Sequence, residues 1–219
     1  MNSEYARRNM VNRQIRPWQV LDKRVLDVIR QTPREDFVPL PYRSLAFADT
    51  AIPLAHGEYM LHPNIEGRIL QSLDLNKADR ILEVGTGSGY LTACLAKLAG
   101  EVESVDIHPD FTEQARHRLD NLNIGNATLV TGDASQRWGR TEQYNAIVIS
   151  GSVPFVPDTY RQALATDGRL FAITGRSDEP VMQALLITRC GKSDWLQESL
   201  FDTWVPPLIN LSIESKFEL

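Results

Sequence analysis

Between residues 81 and 93 the chain reads Ile-Leu-Glu-Val-Gly-Thr-Gly-Ser-Gly-Tyr-Leu-Thr-Ala. Gly85, Gly87 and Gly89 alternate where an apolar strand-like run gives way to an apolar helix-like one. A turn free of Cβ atoms lets the backbone pass close to a ligand. Asp106 ends the next apolar run, EVESVDI, and a carboxylate there suits the cis-diol of a ribose. Gly132-Asp133-Ala134 follows the third such run, where an Asp side chain and a backbone N–H can read an adenine edge. Thr86 and Tyr90 in the turn and Ile107 beside the ribose acid complete a candidate site for an adenosine-bearing cofactor.

Two nucleotide-site patterns compete here, beside the plain alternative of an ordinary tight turn. The dinucleotide fingerprint G-x-G-x-x-G needs its third glycine where Tyr90 stands. The chain instead reads E-x-G-x-G-x-G, with Glu83 two residues before the first glycine. From that position Glu83 either holds the loop or meets an ammonium group of the cofactor. The spacing resembles that of the class I methyltransferases, which implies S-adenosyl-L-methionine as cofactor and S-adenosyl-L-homocysteine as its product.

The elements that must position these residues follow from periodicity. RILEV, EVESVDI, ATLVTGD, YNAIVIS and GRLFAIT read as strands. Helical stripes separate several of them: Leu91, Leu95 and Leu98, then Phe111, Ala115, Leu119 and Leu122, then the run FVPDTYRQALA. Strands alternating with helices imply an α/β fold with a doubly wound, mainly parallel, seven-stranded sheet. VMQALLITRC and WLQESLFDTWV lack a helix between them and predict an antiparallel hairpin at the sheet edge. Upstream lies an N-terminal helical extension. It contains a helix with Leu21, Val25 and Ile29 on one face, a proline-rich loop, and a helix opened by Pro63 with Ile65, Ile69 and Leu73 in a stripe. One domain over 1–219 is expected, with 1–75 forming the helices and acceptor loop and 76–219 the cofactor core.

Composition narrows the partners. A net charge of −5 gives no general field for nucleic acid or anionic lipid. Arg7, Arg8, Arg13 and Arg16 fall at near-helical spacing and read as a solvated helix face. Cys94 and Cys190 are far apart and in no metal-ligand pattern, so buried, inert thiols and no metal are expected. The N-terminal residues lack the apolar core of a signal peptide, and a cytoplasmic location is expected without membrane or nucleic-acid partners. The [DNS]-P-P-[YF] motif of amino-methylating nucleic-acid enzymes is replaced by Ser150-Gly151-Ser152-Val153-Pro154-Phe155.

Over nearly its whole length the chain resembles the protein-L-isoaspartate O-methyltransferase family. The likeness rests on PREDFVP (33–39), Ala46–Asp49, Ile52-Pro53-Leu54, LEVGTGSGYLTA, GDASQRWG (132–139) and YNAIVIS (144–150), in that order. It implies carboxyl methylation of isomerised aspartyl residues, the opening step in repair of damaged proteins. The family's acceptor loop has the form G-Q-T-I-S-x-P, whereas this chain reads Gly57-Glu58-Tyr59-Met60-Leu61-His62-Pro63. Leu61 replaces a serine that lies beside the acceptor carboxylate, and a leucine donates no hydrogen bond. Tyr59, Leu61 and His62 are therefore the candidate acceptor-side residues, and Asn64 a candidate contact to the cofactor's methionine carboxylate. Two alternatives remain open at this stage: methyl transfer to a small-molecule acceptor, and cofactor binding without isoaspartyl activity.

Overall fold

The computed structural model describes residues 3–139 and 143–211. In chain order the described helices are α1 (Ser3–Met10), α2 (Lys23–Gln31), α3 (Pro63–Leu73), α4 (Tyr90–Leu98), α5 (Pro109–Asn121) and α6 (Asp158–Ala163). The strands are β1 (Ile52–Pro53), β2 (Tyr59–Met60), β3 (Arg80–Val84), β4 (Glu101–Asp106) and β5 (Ala127–Thr131). They continue with β6 (Tyr144–Val153), β7 (Leu164–Thr174), β8 (Met182–Arg189) and β9 (Trp195–Thr203).

Seven strands form one sheet in the order β5-β4-β3-β6-β7-β8-β9. Pairings from β5 to β7 are parallel, and β8 and β9 add antiparallel at the edge, as the sequence led us to expect. Central parallel strands are covered on both faces, which explains their unbroken apolar character. Along β3, Ile81 joins the apolar cluster containing α2, α3 and α4 residues. Leu82 and Val84 join the cluster on the side of α6. Strand order reverses between β3 and β6. A crevice opens at such a switch point, beyond the carboxyl ends of the strands.

The N-terminal helices pack onto that frame. Asp22 caps α2 by accepting from Arg24 N at 2.8 Å. Val25, Leu26 and Ile29 are buried, but Leu21 lies ahead of the helix and is exposed, so it is not part of the expected apolar face. Arg7 also departs from expectation. Rather than lying on a solvated face, it donates to Glu35 Oε1 at 2.5 Å and to the Arg30 carbonyl at 3.1 Å. Cys94 is buried, whereas Cys190 is exposed, because β8 has already ended at Arg189. The helix expected over FVPDTYRQALA shortens to α6, since Pro157 precedes its start and Leu164 already pairs with Tyr144. No described helix is long and apolar enough to cross a membrane.

Candidate cofactor and acceptor cleft

A cleft of about 930 Å³, open to solvent, lies at the β3/β6 switch point. Its floor is the turn from β3 into α4. Gly85, Gly87 and Gly89 have φ of 96°, 49° and 82°, values that side chains with a Cβ rarely adopt. A Cβ on Gly85 would stand 2.2 Å from Ser150 Oγ. Ser150 itself donates toward the Val84 and Gly85 carbonyls at 2.9 Å, tying β6 to the turn. A Cβ on Gly89 would stand 2.7 Å from Ala115 Cβ, so this glycine serves the packing of α4 against α5.

Asp106 sits at the end of β4 and is held from two sides. Gly87 N donates to Oδ2 at 2.8 Å and His108 N donates to Oδ1 at 2.9 Å. The carboxylate is thereby fixed between the glycine turn and the start of α5, on the cleft wall. Gly85, Thr86, Gly87, Ile107, Asp133 and Ala134 line the same cleft. Asp133 accepts from Ser135 N and from Asn210 Nδ2, both at 2.9 Å, and the Ser135 bond leads in holding its carboxyl below the ordinary value.

Four residues read as cofactor contacts lie elsewhere. Glu83 is fully buried and does not line the cleft, because strand alternation turns it toward α4. Its Oε2 accepts from Thr92 Oγ1 and, at 2.7 Å, from Ser104 Oγ, which in turn lies 2.6 Å from Thr86 Oγ1. Glu83 thus supports the loop through Ser104 rather than reaching toward a ligand ammonium. Tyr90 is buried behind the turn, edge-on to Phe37 and beneath the Arg34 guanidinium at 4.8 Å. Gly89 faces Ala115, not the cleft. Asn64 is buried, accepts from Ile65 N at 2.8 Å and donates to Asp49 at 3.4 Å.

On the acceptor side, Tyr59 and Leu61 reach the cleft wall with Glu58 and Met60. His62 does not. Its Nδ1 lies 3.2 Å from Asp49 Oδ1, outside the cleft. Burial is the main cause that pushes the Glu58 carboxyl above its ordinary value.

Two groups of wall residues escaped the sequence reading. Glu66 in α3 is buried and lines the cleft, paired with the fully buried Arg34. Arg34 also donates to the Leu61 carbonyl at 2.6 Å, so one guanidinium ties the PREDFVP segment to both the acceptor loop and α3. Burial pushes the Glu66 carboxyl up to about 7 against the opposing pull of Arg34. The second group is Pro206–Ile209, which returns beside β6. Ser152 N donates to Pro206 O at 2.9 Å and Leu208 N to Ser152 O at 2.8 Å. The proline pair after the last strand is the sole local signal for that return.

The comparisons with known proteins bear on this architecture. A family model described as protein-L-isoaspartate(D-aspartate) O-methyltransferase matches residues 6–197. The chain is 37% identical to protein-L-isoaspartate O-methyltransferase 1 of Rhodopseudomonas palustris, over 93% of this chain and 82% of that one. It is 34% identical to protein-L-isoaspartate O-methyltransferase 2 of Pelobacter propionicus, over 95% and 92%. Among solved structures, a putative Plasmodium falciparum member in complex with S-adenosyl-L-homocysteine superposes with a TM-score of 0.77. That match has 20% identity and covers 95% of this chain and 98% of the other, a likeness of fold.

Proposed function

Because the chain belongs to the protein-L-isoaspartate(D-aspartate) O-methyltransferase family, we propose that its cleft passes a methyl group to the carboxylate of an isomerised aspartyl residue in a damaged protein or peptide. The chain is an S-adenosylmethionine-dependent methyltransferase. The observation that carries the reading is Asp106, gripped by Gly87 N and His108 N at the switch point and adjoining the acceptor loop.

The residues present fit the cofactor on two grounds. An added Cβ on Gly87 would meet only Leu54 Cδ1, at 3.5 Å, so the backbone there presents an open face. A carboxylate offers about four acceptor positions, and Asp106 uses two of them on backbone N–H groups. We assign the free lone pairs of Asp106 to the ribose hydroxyls. Ile107 and Ala134 flank the adenine, and the Gly85-Thr86-Gly87 backbone meets the methionine end. Asp133 shapes its loop through Ser135 and Asn210.

When bound, the cofactor would supply a sulfonium methyl group to a nucleophile that the cleft aligns. A carboxylate acceptor is ionised near neutrality and needs no base. The protein's contribution is alignment and exclusion of water, worth up to about 7–11 kcal/mol in favourable cases. Tyr59, Met60 and Leu61 form the apolar wall that excludes water. Glu58 sits among them, and burial is the main cause that raises its carboxyl above the ordinary value. A cytoplasmic setting belongs with this reading, and the two unpaired cysteines fit it.

The test is transfer of labelled methyl from S-adenosylmethionine to an isoaspartyl peptide, with its aspartyl isomer as control. Base-labile label on the isoaspartyl peptide alone is expected. Binding of S-adenosylhomocysteine with no label on either peptide would move the acceptor to another class.

A further inference from the structure

We propose that His56, His108 and Asp110 form a binding site for a divalent transition-metal ion of the zinc and cobalt kind. The ion would clip the acceptor loop to the start of α5.

The donors converge from two segments more than fifty residues apart. One ligand atom from each of the three residues lies within 4.8 Å of the other two. His56 Nε2 stands 2.9 Å from Asp110 Oδ1. The His56 and His108 rings stack with centroids 4.0 Å apart and an interplanar angle of 4°. His108 Nε2 is buried with no hydrogen-bond partner. An imidazole nitrogen removed from water and left unpaired is destabilising, and a metal ion would relieve that cost. His56 is held over its partner by a left-handed backbone, φ 59° and ψ 13°, which a residue with a Cβ disfavours. The loop thus adopts a disfavoured conformation that aims an imidazole at a second imidazole and a carboxylate.

Two imidazoles and a carboxylate suit zinc, cobalt or nickel rather than magnesium or calcium, which prefer oxygen sets. Metal-to-nitrogen bonds of about 2.0–2.1 Å require the donors to draw closer and the rings to tilt out of parallel. His56 has room to do so, since its side chain is 41% exposed. Against a cation stands the positive end of α5. Asp110 in the first turn of α5 and Asp106 just before it carry the opposite charge. The Glu58 carboxyl lies within electrostatic reach of both imidazoles. The alternative account is a bare stack of two imidazoles resting edge-on against Phe111 at 5.4 and 5.3 Å. That account leaves the buried Nε2 of His108 without a partner.

The experiment uses the whole chain, stripped with chelator and free of cofactor and peptide, so its outcome does not depend on methyl transfer. Zn²⁺ is titrated by calorimetry and Co²⁺ by visible absorption, with Mg²⁺ as control. One equivalent of Zn²⁺ and of Co²⁺ is expected, with a low-coordinate cobalt spectrum and no response to Mg²⁺. His56→Gln and His108→Gln should each weaken uptake by about 10–100-fold, while His117→Gln, further along α5, should not. Thermal melting and S-adenosylhomocysteine binding establish that each variant is folded. No uptake by the wild-type chain at micromolar ion would overturn the site, as would uptake indifferent to both substitutions.

Discussion

Asp106 and Glu83 are both acidic residues near the glycine turn, yet their surroundings give them opposite duties. Asp106 presents its carboxyl edge to the cleft, so Asp106→Ala should weaken S-adenosylhomocysteine binding by about 1.5–3 kcal/mol in calorimetry. Glu83 is buried, and that burial pushes its carboxyl up to about 8 from an ordinary 4.5. Between those values the native chain holds a proton that the unfolded chain has released. The stability from this group is therefore fully present below 4.5 and is lost as pH rises through 8. Glu83→Gln keeps an acceptor for Ser104 and Thr92 without the titration. The wild-type melting temperature should accordingly fall more steeply than the variant's between about pH 5 and about pH 8. At Leu61, an apolar wall stands where the family's loop carries a hydroxyl. Leu61→Ser supplies an oriented donor and should raise kcat/KM on an isoaspartyl peptide by about tenfold, below the full worth of such a donor. A fall in that ratio would show that the apolar wall itself is what the acceptor needs. The place of Asp106 on the cleft wall was legible because it follows from one local spacing. Glu83 was misplaced toward the ligand because nearness in sequence does not fix a face, and alternation along β3 turns it toward Thr92.

Within the strand-turn-helix element the glycines divide their work, and substitution separates the duties. Gly89→Ala forces a Cβ against Ala115 at a φ of 82° and should cost about 2–5 kcal/mol of stability, measured by denaturant unfolding. Gly87→Ala meets only Leu54 Cδ1 at 3.5 Å, an ordinary contact, so about 1–2 kcal/mol of backbone strain is expected. Its S-adenosylhomocysteine affinity should fall further than its stability does, because the new Cβ enters the cleft. The element was readable from sequence, since a strand, a glycine turn and a helix are each encoded by neighbours. Its surroundings were not. Ser150 braces Gly85 from 65 residues away, and Arg34 reaches Glu66 and Leu61 from 32 and 27 residues away. PREDFVP stood out as a family segment, but nothing in its spacing announced that its arginine is buried over Tyr90 as the clamp of the acceptor loop.

Across the whole molecule, the sheet order and the edge hairpin were legible because apolar runs, helical stripes and the missing last crossover each constrain topology. The cleft was only partly legible, since its walls come from α3, the acceptor loop, three strand ends and a segment beyond β9. That last segment has a consequence for synthesis. A ribosome releases the glycine turn, Asp106, Ala134 and Ser150 well before it delivers Pro206–Ile209. A nascent chain therefore carries a cofactor floor with one wall missing. That wall closes only when Leu208 N reaches Ser152 O and Asn210 reaches Asp133. Translation itself thus delivers the last wall of the cleft after its floor.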